Sequence, residues 1–434
     1  MKNKVSESKS PKVQASPLKP LNPSTLEPLK EGWRWVRLGE VCEINPTRPK
    51  NLARSPNAPT TFVPMAAVDE KMGVIAKPEV VPYSKVTKGY TYFEENDVLF
   101  AKITPCMQNG KHVIARNLID GIGFGTTEFH VLKPKKEIIS EWIHFFIRQP
   151  YFLKEATLYF TGAVGQQRVP ESFLSDYLIP FPPLSTQKRI SEKLQELIQE
   201  VEQARATCEK QLQAAKALPA AYLREVFENE EAKRWDKKKL GEVCEELYRY
   251  PTYYNINYVD KGVPEIRGEL IKSDGNLEVD LTKYRFISKE TSQKYPRTIL
   301  KEGDLVLSVR GSMGKVALVH KELEGANITA NLIRISPDPS LVYPLFLMMV
   351  FLSEYFQRTL ENFSPQTTIK TIKAPVLKSI SIPLPLLSEQ NLIADELKEK
   401  MGQAENLQYT IRNQQSAIKV LPQAILRKAF RGEL

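Results

Sequence analysis

The string IPFPPLSTQ at residues 179–187 returns as IPLPLLSEQ at residues 382–390, an offset of 203 residues. The same offset relates LPAAYLREVF at 218–227 to LPQAILRKAF at 421–430, and LGEVCE occurs both at 38–43 and at 240–245. Solenoid repeats are roughly 20–50 residues long, so a repeat of this length is a whole domain with something attached to it. The chain therefore contains one structural unit written twice.

The attached part is a long helix. After each Pro-rich string, apolar residues alternate at spacings of four and three, which is the a/d pattern of a coiled-coil seam. We predict a helix of about 40 residues in each copy, near 60 Å long, with a kink or interruption at Pro219 and Pro422. The simplest way to bury both stripes is to pack them on each other; the alternative is that each helix lies on its own domain. The predicted seam consists of Ile190, Leu194, Leu197, Val201, Leu218, Ile393, Leu397, Leu407, Ile411, Ile418 and Leu421.

The globular part of each copy mixes strands and helices. DVLFAKI at 97–103 and DLVLSV at 304–309 are strand-like, whereas 141–152 and 343–360 are helical runs. These patterns predict an α+β fold with two similar globular domains. The expected boundaries are 1–32 for a flexible tail, 33–183 and 232–386 for the domains, and 184–231 and 387–434 for the long helices.

Composition limits the class of protein. The 434 residues include 61 Lys+Arg and 51 Asp+Glu, a net charge of +10, and 42% are hydrophobic. The most apolar run, 345–352, is far shorter than the roughly 20 residues of a membrane helix, and the Lys/Pro/Ser-rich start lacks a signal-peptide core. We therefore expect a cytoplasmic protein without a membrane segment.

No motif in the sequence carries enzymatic chemistry. The four cysteines form no C-x-x-C pair and the four histidines no H-E-x-x-H, so no metal site is predicted. Gly110-Lys111 and Gly314-Lys315 lack the rest of a P-loop. The glycine cluster at 121–125 has no counterpart in the second copy, and NPTR at 45–48 lacks the second proline and the aromatic residue of an amino-methyltransferase loop. We predict no catalytic residue and no cofactor bound by this chain.

The basic balance suits a polyanion, because cations that neutralise phosphates release counterions. Turns after the two Asp-led strands place a basic residue at a strand end, then small or amide residues, then Gly-Lys. Basic side chains there can contact phosphates or guanine, and amides can pair with adenine; the alternative is a solvated hairpin turn. The candidates are Lys102, Gln108, Asn109 and Lys111 in the first copy and Arg310, Ser312 and Lys315 in the second.

Two further segments are rich in groups that bind nucleic acid. One is GQQR at 165–168 with its counterpart QTTIK at 366–370, and the other is the tyrosine-rich stretch LYRYPTYY at 247–254. The tyrosines there fit a DNA backbone or groove, or equally an edge of the core. The candidates are Gln166, Gln167, Arg168, Tyr250, Tyr253, Tyr254, Thr367, Thr368 and Lys370.

The repeated Pro-rich string with its long helix, the LPxAxLRxxF endings, the closing RGEL at 431–434 and the LGEVC openings resemble the DNA-specificity subunit of type I restriction-modification systems. The resemblance covers about residues 33–434. It implies two target-recognition domains and helices that pack as an antiparallel coiled coil. It also implies double-stranded DNA, two modification subunits and restriction subunits as partners, which supply S-adenosylmethionine-dependent adenine methylation and ATP- and Mg²⁺-dependent translocation and cleavage.

On this interpretation the two copies, which differ most in their turns, read two different half-sites, and helix length sets the spacer between them. Two alternatives remain open. One is a coiled-coil scaffold whose globular domains bind proteins. The other is a stand-alone DNA methyltransferase or nuclease, which the missing motifs disfavour.

Overall fold

The computed structural model describes residues 28–50, 52–70, 72–163, 165–249, 256, 258–363 and 371–434. The chain divides into two units. Unit 1 comprises the described residues up to Ala206 together with Ser416–Leu434, and unit 2 comprises the described residues of Thr207–Gln415. Each unit holds one mixed α and β domain and part of each long helix, which confirms the predicted α+β fold. The predicted domain boundaries stay a prediction, and most of the predicted tail lies outside the described residues.

Unit 1 builds its domain from short strands and helices that precede the first long helix. Its elements are β1 (Arg34–Arg37), α1 (Leu38–Val41), β2 (Cys42–Ile44), β3 (Pro59–Val63), β4 (Val68–Asp69), β5 (Val74–Ile75), β6 (Glu79–Pro82), β7 (Thr91–Glu94), β8 (Val98–Ala101), β9 (His112–Ile114), β10 (Ile122–Gly125), β11 (Phe129–Pro134), α2 (Ser140–Ile147), α3 (Pro150–Leu158), α4 (Glu171–Asp176), β12 (Leu178–Phe181) and the start of α5 (Leu184–Phe227).

Unit 2 repeats this order with local differences. Its elements are β13 (Asp236–Lys239), α6 (Leu240–Val243), β14 (Cys244–Arg249), β15 (Tyr258–Val259), β16 (Val263–Ile266), β17 (Arg285–Ile287), α7 (Lys289–Lys294), β18 (Leu305–Ser308), β19 (Val316–Leu318), β20 (Asn327–Ile328), β21 (Leu332–Pro337), α8 (Pro344–Leu352), α9 (Glu354–Asn362), α10 (Ala374–Ser379), β22 (Ser381–Leu384) and most of α11 (Leu387–Phe430).

The strands of each unit form two four-stranded sheets and a two-stranded ribbon, and unit 1 has a second two-stranded ribbon in which β4 pairs with β5. In unit 1 the sheets have the orders β2-β11-β8-β9 and β6-β3-β10-β7, and β1 pairs with β12. In unit 2 the orders are β14-β21-β18-β19 and β15-β17-β16-β20, and β13 pairs with β22. The first sheet of each unit is fully antiparallel, and the second contains one parallel pair. The apolar run at 345–352 is α8, which is buried in the core of unit 2. No described helix combines the length and apolar character needed to cross a bilayer.

The glycine cluster at 121–125 allows the neighbours of β10 to approach its backbone closely. A Cβ on Gly123 would clash with the ring of Phe93, and a Cβ on Gly125 would lie 3.0 Å from the carbonyl oxygen of Val63. Gly121 has a positive φ of 72°, a conformation that glycine adopts without steric cost. Close packing and backbone geometry therefore account for these glycines.

Each long helix is tied to its own domain by a buried glutamine. Gln187 Nε2 donates to the carbonyls of Pro182 (2.9 Å) and Glu137 (3.0 Å), and Oε1 accepts from Ile139 N at 3.1 Å. Gln390 makes the corresponding bonds to Pro385, Leu341 and Tyr343 N. Both side chains are 0% exposed, and satisfying every polar atom makes their burial favourable.

Within unit 1, the beginning of α5 packs against the end of α11. Ile190 and Leu194 belong to one core with Leu426, Ala429 and Phe430, and the Phe430 ring lies 4.4 Å from that of Trp142. Within unit 2, the end of α5, with Leu223 and Phe227, shares a core with Ala394 and Leu397 at the beginning of α11. In each unit the helices are antiparallel, as the resemblance implies.

The phase of the predicted seam is partly wrong. Ile190, Leu194, Val201, Leu397 and Ile411 are buried, and Leu197, Leu218, Ile393 and Ile418 are half-buried. However, Leu407 is 45% exposed and Leu421 is 42% exposed. Leu397 and Ile411 keep the predicted phase, but the inward residues between and beside them include Met401, which packs on the core of unit 2, and Gln408, which replaces Leu407. Glutamine is a polar residue and is not expected at an inward position of two packed helices. The Gln408 side chain can lie there because it donates a hydrogen bond to the backbone of α5.

Of the kink or interruption predicted at each proline, the interruption does not occur, because α5 continues through Pro219 and α11 through Pro422. Proline deprives the carbonyl four residues earlier of its helical donor. For Pro219 that carbonyl belongs to Ala215, and it accepts a hydrogen bond from Gln408 Nε2 at 3.2 Å. The helix therefore continues with its freed acceptor satisfied.

Candidate nucleic-acid interface

In unit 1, several loops converge where three strands of the first sheet end. β2 and β8 both pair with β11 in the antiparallel sense, so the ends of β2 and β8 and the start of β11 lie at one edge. We call the described loop residues at 45–50, 102–111, 126–128, 161–163 and 165–170 the first loop edge. Two predicted segments meet there: Thr104 N donates to Gln167 O at 3.0 Å, and Val169 N donates to Lys102 O at 2.9 Å.

The tip of the first loop edge exposes amide side chains. Gln108, Asn109 and Gln166 are exposed, and Gln167 is half-buried. Gly110 and Gly165 adopt positive φ angles of 77° and 89°, which close the two turns. Such amides are free to form the paired donor and acceptor contacts that distinguish bases in a groove.

Arg168 is held by an acid of the same edge. Its guanidinium donates two hydrogen bonds to the carboxylate of Glu128, from Nε at 2.8 Å and from Nη2 at 2.7 Å. These bonds lower the pKa of Glu128 and raise that of Arg168. Lys102 lies beside them half-buried, and its pKa is lowered by burial and by Arg168 while Glu128 and Glu171 oppose the shift. The positive charge at this part of the edge is therefore largely balanced.

Lys111 has a structural position that the sequence did not predict. Its ammonium group donates to the carbonyls of Val68 (2.8 Å) and Met65 (3.4 Å) and lies 3.2 Å from the carboxylate of Glu70. Its side chain is only 19% exposed. In this structure the ammonium group therefore tethers the loop to residues 65–70, and the phosphate contact of Lys111 stays a prediction.

Unit 2 has an equivalent edge, with a shorter loop after the Asp-led strand. Ser308 N donates to Lys315 O at 2.7 Å, as Ala101 N donates to Lys111 O at 3.3 Å. Val309 N donates to Asn331 O, as Lys102 N donates to Glu128 O, both at 2.9 Å. Lys315 thus corresponds to Lys111. The predicted equivalence of Lys102 with Arg310 is wrong by one residue, because Val309 takes that position.

The second loop edge, formed by Arg249, residues 309–315, residues 329–331 and Thr371, carries two neighbouring arginines. Arg310 forms a β-bridge with Thr371, and Arg249 Nε donates to Ala330 O at 3.3 Å. Burial lowers the pKa of Arg249, and the charge of Arg310 lowers it further. Within the described part of the chain, neither arginine forms an ion pair with a carboxylate. Such a pair of like charges favours an anionic ligand.

Other candidates of unit 2 have mixed outcomes. Ser312 is exposed and Lys315 is half-buried. Arg249 was not among the predicted contacts. The only feature of the sequence that points to it is its place in the tyrosine-rich segment at 247–254. The remaining predicted contacts lie outside the described residues: Tyr250, Tyr253, Tyr254, Thr367, Thr368 and Lys370.

The described residues offer no group of three His, Cys, Asp or Glu side chains able to hold a metal ion. Burial raises the pKa of the Cys42 and Cys244 thiols to about 12. A thiol with so high a pKa stays protonated near neutral pH and is a poor nucleophile.

Comparisons with known proteins agree with this arrangement. A family model described as "Type I restriction modification DNA specificity domain" matches residues 30–209 and 232–414. The specificity subunit of the type I restriction enzyme EcoEI from Escherichia coli is 32% identical over 291 residues, 64% of this chain and 46% of that protein. The chain thus spans about half the length of such a relative.

Two solved structures are similar over nearly the whole chain. The crystal structure of the HsdS subunit from Thermoanaerobacter tengcongensis is 26% identical with a TM-score of 0.70, covering 94% of this chain and 98% of that one. A structure described with complex assembly and conformational transition of the type I R-M system is also 26% identical, with a TM-score of 0.72 and coverage of 94% and 100%.

Proposed function

Because the chain belongs to the family of type I restriction-modification DNA specificity domains, we propose that it is the DNA sequence-recognition subunit of a type I restriction-modification complex. It binds a bipartite, asymmetric double-stranded DNA target and positions methyltransferase and restriction subunits. It is itself non-catalytic and acts in the cytoplasm. S-adenosylmethionine, ATP and Mg²⁺ belong to the partner subunits.

The observation that carries this proposal is the pair of loop edges. Both occur at the same end of sheets with the same strand order, yet they present different side chains. The first has exposed amides and an arginine paired with Glu128, whereas the second has Arg249 and Arg310 without a described carboxylate partner. Two domains of the same topology that carry different contact residues can recognise two different base sequences through the major groove.

The parts of the chain then have distinct roles. Residues 33–183 and 232–386 are the two target-recognition domains, and residues 184–231 and 387–434 are the helices that join them. One modification subunit binds each repeat, on the helix faces at 187–203 and 390–406. This duplication allows one asymmetric chain to hold two identical partners.

The test is expression of the full chain with type I methyltransferase subunits from the same genome, in a host without adenine methylation, followed by genome-wide mapping of methyl-adenine. We expect a motif of two short, different half-sites separated by a fixed spacer, absent when this chain is omitted. A continuous, unsplit motif would contradict the two-edge proposal. An assembled complex that neither methylates nor binds DNA in a salt-sensitive way would favour a scaffold instead.

A second experiment tests the alternative that the chain is itself a methyltransferase or nuclease. The purified chain alone should neither methylate nor cut DNA when supplied with S-adenosylmethionine, ATP and Mg²⁺. Activity of the chain alone would show that it carries catalytic groups of its own.

A further inference from the structure

A cluster of basic side chains lies partly on the first loop edge, at 45–50, and partly on the adjacent turn after β6. Arg48 and Lys50 follow β2, and Lys85 and Lys88 follow β6; all four are exposed. We call the two turns that carry these four residues the basic turn pair. The segments that contain them, 45–68 and 80–93, have no acidic residue at all. These two segments therefore carry positive charges only.

The two turns are held together by the backbone. Arg48 Nη1 donates to the carbonyl of Thr87 at 3.0 Å, which brings the turn after β2 to the turn after β6. Between them lies a cavity of about 260 Å³ lined by Asn45, Pro46, Arg48, Thr87, Tyr90, Thr91, Tyr92 and Phe124. Tyr90 at its rim is 45% exposed, with its ring packed edge-on against Phe62 at 4.9 Å. The two turns thus form a concave surface that has both polar and apolar groups.

Other charged residues nearby form ion pairs, unlike these four. Arg54 on the same segment is 2.9 Å from the carboxylate of Asp120 and also bonds Thr60. Glu94, near the floor of the cavity, accepts from the Tyr92 hydroxyl at 2.9 Å and pairs with Lys133 at 2.5 Å. In the described chain, by comparison, no carboxylate forms an ion pair with any of the four residues of the basic turn pair.

The surface continues directly into the first loop edge through Asn45. The Asn45 backbone N–H donates to Val131 O at 2.7 Å, and its side chain bonds Glu171 and His130. The same residue lines the cavity. A duplex read at the loop edge would therefore have its backbone within reach of the adjacent turns.

We propose that the basic turn pair binds the phosphate backbone of DNA beside the half-site read by unit 1; this inference rests on the proposed function. Lysine ammonium groups on flexible side chains supply charge without base discrimination, and phosphate contacts fix register without reading sequence. The exposed position and the missing acids are what such a surface requires. An acidic protein segment would need no continuity with the loop edge.

The test uses the full chain assembled with its methyltransferase subunits and compares a triple variant, Arg48→Ala with Lys85→Ala and Lys88→Ala, with wild type. Each lost phosphate contact reduces the slope of log Kobs against log salt by about 0.9, so the slope should fall by about 2.7. The methylated motif should stay the same. The matched control removes Lys237, Lys238 and Lys239, three exposed residues on β13, and should change the slope by less than the triple variant does.

An unchanged slope in the triple variant, or an equal loss in the control, would overturn the inference. An altered motif would also overturn it, because base reading would then be the role of these residues. If the triple variant does not fold, the pair Lys85→Ala with Lys88→Ala should still reduce the slope by about 1.8. Failure of the proposed function looks different, since the wild-type complex itself would show no split motif.

Discussion

Gln408 donates a hydrogen bond of 3.2 Å from Nε2 to the carbonyl of Ala215, the acceptor that Pro219 leaves without a helical donor. Within unit 2, a glutamine of α11 thus supplies the hydrogen-bond donor that the backbone of α5 lacks at this carbonyl. The contact explains both why α5 continues past a proline and why a polar residue lies at a seam position.

This relationship predicts coupling between Gln408 and Pro219. Gln408→Ala should lower the free energy of unfolding by about 1 kcal/mol, because it leaves a partly buried carbonyl unsatisfied. In a Pro219→Ala background the restored N–H takes the carbonyl, so the same substitution should cost much less. Chemical denaturation of the four proteins of this double-mutant cycle measures the coupling. Equal costs in the two backgrounds would contradict the explanation.

The pairing of Arg168 with Glu128 predicts that this arginine contributes little to DNA affinity in wild type. Glu128→Gln should release it and steepen the dependence of sequence-independent DNA binding on log salt by up to about 0.9. Arg168→Ala should leave that slope almost unchanged. Glu141→Gln, which breaks the pair with Arg116, is the control. A large loss of slope in Arg168→Ala would mean that DNA displaces Glu128.

The exposed amides of the first loop edge predict a change of one half-site only. Gln108→Ala with Asn109→Ala should relax one or two positions of a single half-site, since a good bidentate amide contact discriminates bases by about 1–3 kcal/mol. Ser312→Ala in unit 2 is the counterpart and should affect the other half-site. Methyl-adenine mapping reads both results. Changes in both half-sites from one variant would contradict independent reading.

Three buried histidines make the stability of unit 1 depend on pH. His144 Nε2 lies 3.0 Å from His112 O; burial lowers the pKa of His144 to about 3, the pKa of His112 well below its usual value, and the pKa of His130 in the same direction. The unfolded histidines bind protons below about pH 6.5 and the folded ones do not, so this stability is lost as pH falls. Asp97 opposes the trend, because burial raises its pKa to about 6.

The histidines together outweigh Asp97, so stability should fall as pH decreases from about 6 to about 5, and each histidine that binds a proton only in the unfolded state contributes up to about 1.4 kcal/mol per pH unit. His144→Leu should weaken this dependence, in addition to lowering stability at neutral pH. His320→Gln, at an exposed position, should preserve it. Denaturant titrations at several pH values decide, and an unchanged pH dependence in His144→Leu would exclude the histidine as its source.

The long helix α5 runs through both units, which predicts that its length sets the DNA spacer. Four residues inserted beside the exposed Ala204 add about one turn of ~5.4 Å, equivalent to one or two base pairs at about 3.4 Å each. The methylated motif should change its spacer accordingly and keep both half-sites. The same insertion after Asn229, beyond the end of the helix, should leave the spacer as it is. A constant spacer in the first variant would disprove the helix as a ruler.

The sequence by itself determined what repeats and what has a strong local period. The duplicated strings predicted two similar domains, and the spacing of apolar residues predicted helices that the structure places at Leu184–Phe227 and Leu387–Phe430. The strands after Asp97 and Asp304 were also predictable, because runs of buried apolar residues bounded by turn residues are local signals.

Only the tertiary structure decided which charged and polar groups already have partners. Lys111 bonds residues more than 40 positions away, Arg168 pairs with Glu128, 40 positions away, and Gln408 meets Ala215 across 193 positions. The seam phase depended on the same kind of contact, so Leu407 proved exposed. An apolar stripe specifies a face of a helix, but a hydrogen bond or ion pair depends on where the chain brings distant residues together, and no local pattern encodes that position.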